Sequence, residues 1–161
     1  KAEKQAFALL AQHAPLPADL RATVTGFQIV SDVDRMGALA LHVAKVARLR
    51  YPHQAVPAQA QSTIVEMAQV AERIVAKAGS IIASKDVNGA ADLHGDDDTM
   101  DRLHREVFTM LANGWQGTTE QAVDLTLLSR YYERFADHAV SVARQVGYLV
   151  SGEWEHRRAL A

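Results

Sequence analysis

The sequence predicts an all-α fold, a tandem repeat of three-helix bundles, and three observations lead there. Apolar residues recur at steps of three and four along most of the chain, the spacing that lines one face of an α-helix. No segment alternates with the period of two that a half-buried strand needs. One pattern also occurs twice: Gly26, Ile29, Val33, Met36, Ala40, Val43 and Ala47 fall, 99 positions later, on Leu125, Leu128, Tyr132, Phe135, Ala139, Val142 and Val146. Each set forms a single stripe, so both segments are expected to be long core helices of one design.

The elements follow in order. Residues 1–13 place Phe7, Leu10 and Ala11 on one side, and Pro15 and Pro17 stop that helix and open the next. The second helix is expected over 18–50, ending before Pro52, and its length of more than 30 residues argues for a bundle. The third, over 58–84, turns Ile64, Met67, Ala71, Ile74, Ala78 and Ile81 inward and Glu66, Arg73 and Lys77 to water, with Asn88 and Gly89 as its break. The fourth covers 90–112 and stops at Asn113 and Gly114. A capping box from Thr118 to Gln121 then opens the fifth, over 119–151.

The repeat reaches beyond the long helices. Phe108 and Leu111 match Phe7 and Leu10 at an offset of 101, and Asp101 then maps just ahead of Lys1. A complete repeat is three helices, so the first copy is expected to be truncated, without its first helix and the start of its second. The expected division is a truncated first repeat over 1–55, a complete second repeat over 56–152 and a tail over 153–161.

Composition narrows the function. With 161 residues, 48% of them hydrophobic, the chain is long enough to bury a core. The formal net charge is -2, and the basic clusters, Lys45 with Arg48 and Arg50, and His156 with Arg157 and Arg158, are too thin for a nucleic-acid footprint. The absence of cysteine removes disulfides, thiolate metal sites and a cysteine nucleophile. No apolar run approaches a membrane span, and a cytoplasmic location is expected. There is no GxSxG elbow, no phosphate-binding GxxxxGK[ST] loop, no GxGxxG turn and no HExxH pair.

The remaining chemistry lies in carboxylates. Glu133 and Asp137 stand one turn apart on one helix, and Asp97, Asp101 and His104 form a second such line that continues into Phe108 and Leu111. Acids on an otherwise apolar stripe are costly unless a positive charge stands among them. Asp97, Asp101, Glu133 and Asp137 on facing helices offer four hard oxygen donors for iron, zinc, manganese or magnesium, with His104 as a further nitrogen. The alternative is that Arg130 and Arg134 neutralise the acids in ion pairs. Asp34 repeats Glu133, but Ala38 stands where Asp137 does, so no matching cluster is expected in the first copy. His138, about 100° around the helix from Asp137, reads as a structural or interface residue; His42, His53 and His94, with no matching acid at helical spacing in a core stripe, are expected to be solvated or hydrogen-bonded, and His13 to end its helix. Trp115 reads as a packing lid and Trp154 as a local or partner contact. A di-iron oxidase or metal-storage bundle is the rival reading, but it needs paired Glu-x-x-His motifs. Here only Glu153 to His156 has that form, and Asp101 to His104 has the spacing with a shorter acid.

Two segments carry a family resemblance. ERFADHAVSVARQV and DVDRMGALALHVAK resemble the second- and first-repeat signatures of the PhoU family of phosphate-signalling regulators, PhoY-type members most of all. The resemblance implies a cytoplasmic, dimeric, non-enzymatic helical protein. It implies a role linking the ATPase subunit of the phosphate ABC transporter to a sensor histidine kinase, with the starvation response held off when phosphate is plentiful. Membrane association then comes only through partners, and no nucleic acid is bound. The family's acidic motifs, some of which hold metal clusters, map here to Asp97 with Asp101 and Glu133 with Asp137.

Overall fold

The computed structural model describes residues 2–12, 16–86 and 89–153. They form five α-helices, α1 (Ala2–Gln12), α2 (Pro17–Arg50), α3 (Gln61–Ser84), α4 (Gly89–Ala112) and α5 (Thr119–Ser151), with a 3-10 turn at Ala58–Ala60 and no strand among them. The predicted all-α class is the observed one.

Local chemistry sets the helix ends. Pro17 occupies the first turn of α2, where its missing N–H costs nothing, with Asp19 near the positive end and Arg48 and Arg50 at the negative end. At the start of α5 the Thr118 hydroxyl accepts from the Gln121 N–H while the Gln121 side chain accepts from the Thr118 N–H, the predicted capping box. Gly152, at φ 75°, closes that helix in the left-handed region that suits glycine. Helix α3 ends at Ser84 as expected, but Gly89 is not its break. Lys85, at φ 57°, is its left-handed cap, and Gly89 already belongs to α4.

Helix α5 is the axis of the molecule, packing along α2, α3 and α4, while α3 and α4 also pack against each other. All six residues predicted to face inward on α3 are buried, and Leu93, Met100, Leu103 and Val107 of α4 complete the three-helix core against Leu125, Leu128, Ala139, Val142 and Val146 of α5. The two matching stripes are therefore unequal. On α2 only Met36 of the seven is buried; Ile29 and Val43 are partly buried, and Gly26, Val33, Ala40 and Ala47 are exposed. The reason is the number of neighbours: three helices enclose α5, whereas α2 has α5 along one side and a brief contact with α1. Two apolar hollows of about 230 and 410 Å³ consequently run between α2 and α3, sharing Ala40, Val75 and Phe135 in their lining. Phe7, on the apolar side of α1, is exposed and touches Phe27 ring to ring at 5.4 Å.

Three polar devices join α2 to α5. Arg50 grips the buried Asp124 through Nε at 2.5 Å and Nη2 at 3.0 Å, and its Nη1 meets Glu120. Halfway along, His138 Nδ1 lies 2.9 Å from Asp32 Oδ1, and the His42 ring stacks on Tyr131 at 5.2 Å. The structural reading of His138 is thus the observed one, while His42, expected to be solvated or hydrogen-bonded, is exposed and stacks on Tyr131.

Candidate functional site

The four predicted acids lie along the seam between α4 and α5. Their order follows from antiparallel packing: His104 of α4 reaches Ser129 of α5, Asp101 acts on Glu133, and Asp137, one turn further on, acts on Asp97. Each step of four residues on α4 is matched by a step of four on α5, so the carboxylates form a stripe.

The stripe is electrostatically frustrated. Asp97 is half-buried, and its carboxyl is pushed from the ordinary 3.8 up to about 6, first by burial, then by the like charges of Asp101, Asp137 and Asp98, against a smaller opposing pull from Arg144. Burial and the neighbouring Asp137 also raise Glu133, while Arg130 draws it back. His104 is held below its usual range by burial and by Arg130, against the pull of Asp101.

Guanidinium groups partly answer these charges. Arg130 Nη1 donates to Glu133 Oε1 at 2.5 Å, and Arg134 Nη1 lies 3.5 Å from Asp137 Oδ2. The second oxygen of Glu133, Oε2, is buried without a hydrogen-bond partner. A divalent ion is therefore matched in donor chemistry but not in pose. The oxygens are hard and one is orphaned, yet among the described residues no three carboxylate or imidazole groups converge to hold one ion.

Sequence reasoning placed the acids on one seam and named Arg130 and Arg134 as their partners. It missed Arg144, although the step of seven from Asp137 puts both on one face of α5. It also missed Ser129, one turn before Glu133, which is fully buried, donates to the Thr126 carbonyl at 3.0 Å and lies 3.2 Å from His104 Nδ1. The other predicted positions stand apart. Asp34 is exposed on α2, His94 is exposed on α4, and His53 lines a polar hollow of about 340 Å³ beside Arg50 and Glu120. Trp115 is the predicted lid, its indole N–H donating to the Thr118 carbonyl at 3.2 Å and its ring lying over Gly117. His13, Trp154 and His156 lie outside the described residues.

Comparison with known proteins agrees with this fold. The PhoU domain family model matches residues 64–146, which span most of α3, all of α4 and most of α5. The phosphate-specific transport system accessory protein PhoU homolog 2 of Mycobacterium tuberculosis is 50% identical over 153 residues, covering 94% of this chain and 72% of the relative. PhoU homolog 1 of Mycobacterium leprae is 46% identical over 155 residues, covering 96% and 70%. Among solved structures, PhoU from Pseudomonas aeruginosa superposes with a TM-score of 0.79 at 25% identity, over 94% of this chain and 73% of that one. The phosphate transport system regulatory protein PhoU from Streptococcus pneumoniae also gives 0.79, at 20% identity, over 96% and 73%. A family model matched over half the chain and relatives half identical over nearly all of it show that the chain belongs to the PhoU family.

Proposed function

We propose that this protein is a non-enzymatic accessory regulator of phosphate-specific transport, acting in the cytoplasm as a dimer. It holds phosphate-starvation signalling off by linking the transporter's ATPase subunit to a sensor histidine kinase. The observation that carries this reading is the 42–50% identity to mycobacterial proteins named phosphate-specific transport system accessory protein PhoU homolog. The division of the chain into a first repeat segment over 1–55 and a second repeat over 56–152 is part of the same proposal.

Physical observations support it. The serine beside an imidazole, Ser129, is fully buried and spends its proton on a backbone carbonyl, so no substrate reaches it. Long helices with one face in the core leave the opposite face for a partner. No helix among the described residues is long and apolar enough to cross a membrane, in keeping with a protein that meets the transporter from one side. The test is a pull-down from cells grown with and without phosphate, using the tagged full-length protein. The proposal expects both the ATPase subunit and the kinase to be retained; recovery of neither overturns it.

A further inference from the structure

Helices α2 and α5 run antiparallel, and their polar joints fall in register. Arg50 holds Asp124 at one end, Asp32 Oδ1 meets His138 Nδ1 at 2.9 Å further along, and the Arg21 guanidinium lies against Gly152 at the other end. Thr25 stands seven residues before Asp32, and Gln145 seven after His138, about two turns along each helix. Thr25 and Gln145 therefore oppose each other across the seam as Asp32 and His138 do. Arg21 comes one turn before Thr25 on the same face of α2.

This end of the seam is unsatisfied. Thr25 is fully buried and Gln145 is 7% exposed, and Thr25 Oγ1, Gln145 Oε1 and Arg21 Nε are each closed to solvent without a hydrogen-bond partner among the described residues. The repeat shows why the clamp of the opposite end has no counterpart here. A shift of 99 positions brings Thr25 onto Asp124, Arg21 onto Glu120 and Arg50 onto Leu149. The far end thus carries an arginine and a threonine where the clamp has its two acids, and a leucine where the clamp has its arginine. Buried polar atoms are rarely left in that state, because each one gave up its bonds to water on folding.

We propose that one buried water binds Arg21 Nε, Thr25 Oγ1 and Gln145 Oε1 together and joins α2 to α5 at the end opposite the Arg50 clamp. The three atoms are a complementary set: the Arg21 N–H donates, the Gln145 amide oxygen accepts, and the Thr25 hydroxyl does either. A water accepts from Arg21 and donates to Gln145 and Thr25, which is the roughly three bonds that a buried water makes. None of the three atoms bonds directly to another, and a polar gap of this kind is one that water spans. The charges select a neutral ligand, since an anion would meet the Gln145 oxygen and a metal ion would meet the Arg21 guanidinium.

The test joins thermal melts to a high-resolution crystal structure of the full-length protein. Thr25→Val keeps the shape of the side chain and removes the hydroxyl. If the water is held there, the variant strands it with two partners and the melting temperature falls by about 2–4 °C. If the Thr25 hydroxyl is instead an orphan, its removal relieves a buried unpaired group and the melting temperature rises. Thr25→Ser keeps the hydroxyl and is expected to retain the water. The parent crystal supplies a reading that needs no variant: a single water within hydrogen-bonding distance of all three atoms. A Thr25→Val protein as stable as the parent, or more so, overturns the proposal. So does a parent structure in which no water touches these atoms, or in which the three side chains bond directly to one another.

Discussion

Asp97→Asn is expected to stabilise the protein, and only above the pH at which Asp97 ionises. In the folded chain the carboxyl titrates near 6 instead of near 3.8, because burial and the charges of Asp101, Asp137 and Asp98 oppose its ionisation. The sign follows directly. A folded-state pKa above the unfolded one makes the protonated acid a stabilising group, fully so below about 3.8, and that contribution is lost as the pH rises through about 6. A gap of about 2 in pKa corresponds to about 3 kcal/mol. Asp97 is only half-buried, so solvent screening reduces this to about 1 kcal/mol. For a chain of this length that is about 2–4 °C in melting temperature. The assay is paired thermal melts of parent and Asp97→Asn from pH 4 to 8, with chelator present and at two salt concentrations. The difference should be near zero at pH 4, reach its full value by about pH 7.5 and shrink at high salt. A pH-independent difference, or a variant less stable than the parent at pH 7.5, refutes the reasoning.

Other outcomes follow from packing and pairing. Ile74→Ala, at a fully buried position of α3, should cost about 2–5 kcal/mol in denaturant unfolding. Leu125→Ala, fully buried on α5, should cost a similar amount, while Leu41→Ala on the bare face of α2, at 55% exposure, should stay within about 0.5 kcal/mol. For the clamp between α2 and α5, Arg50→Met should lower the melting temperature more than Arg50→Met/Asp124→Leu does, because the single change strands the buried Asp124 charge and the double change removes it. Equal losses would place the effect in the arginine stem.

The fold was legible because its signals are local and periodic. The α3 stripe from Ile64 to Ile81 repeats at helical steps, and the capping box at Thr118 and Gln121 is written in four residues, so both can be read without knowing any neighbour. Burial on α2 was not legible, since periodicity shows which residues share a face but not what covers it; Ala40 and Ala47 match the buried Ala139 and Val146 of α5 and are nonetheless exposed. The acids on the α4–α5 seam were readable from their spacing. The Arg50–Asp124–Glu120 clamp was not, because its partners lie 70 and 74 positions apart and no periodic pattern links them. The charge balance of the seam was half readable: Arg130 and Arg134 sit beside their acids in sequence, whereas the effect of Arg144 on Asp97 exists only once the two helices pack.

The central claim is that this PhoU-family protein keeps phosphate-starvation signalling off, and the most direct test is the deletion of its gene in phosphate-rich medium. High-affinity phosphate uptake and phosphatase expression are measured together, before and after the gene is restored. The account predicts that both switch on in the deletion strain and return to the repressed level on restoration. Normal repression in a deletion strain that carries no second copy of the gene would contradict it.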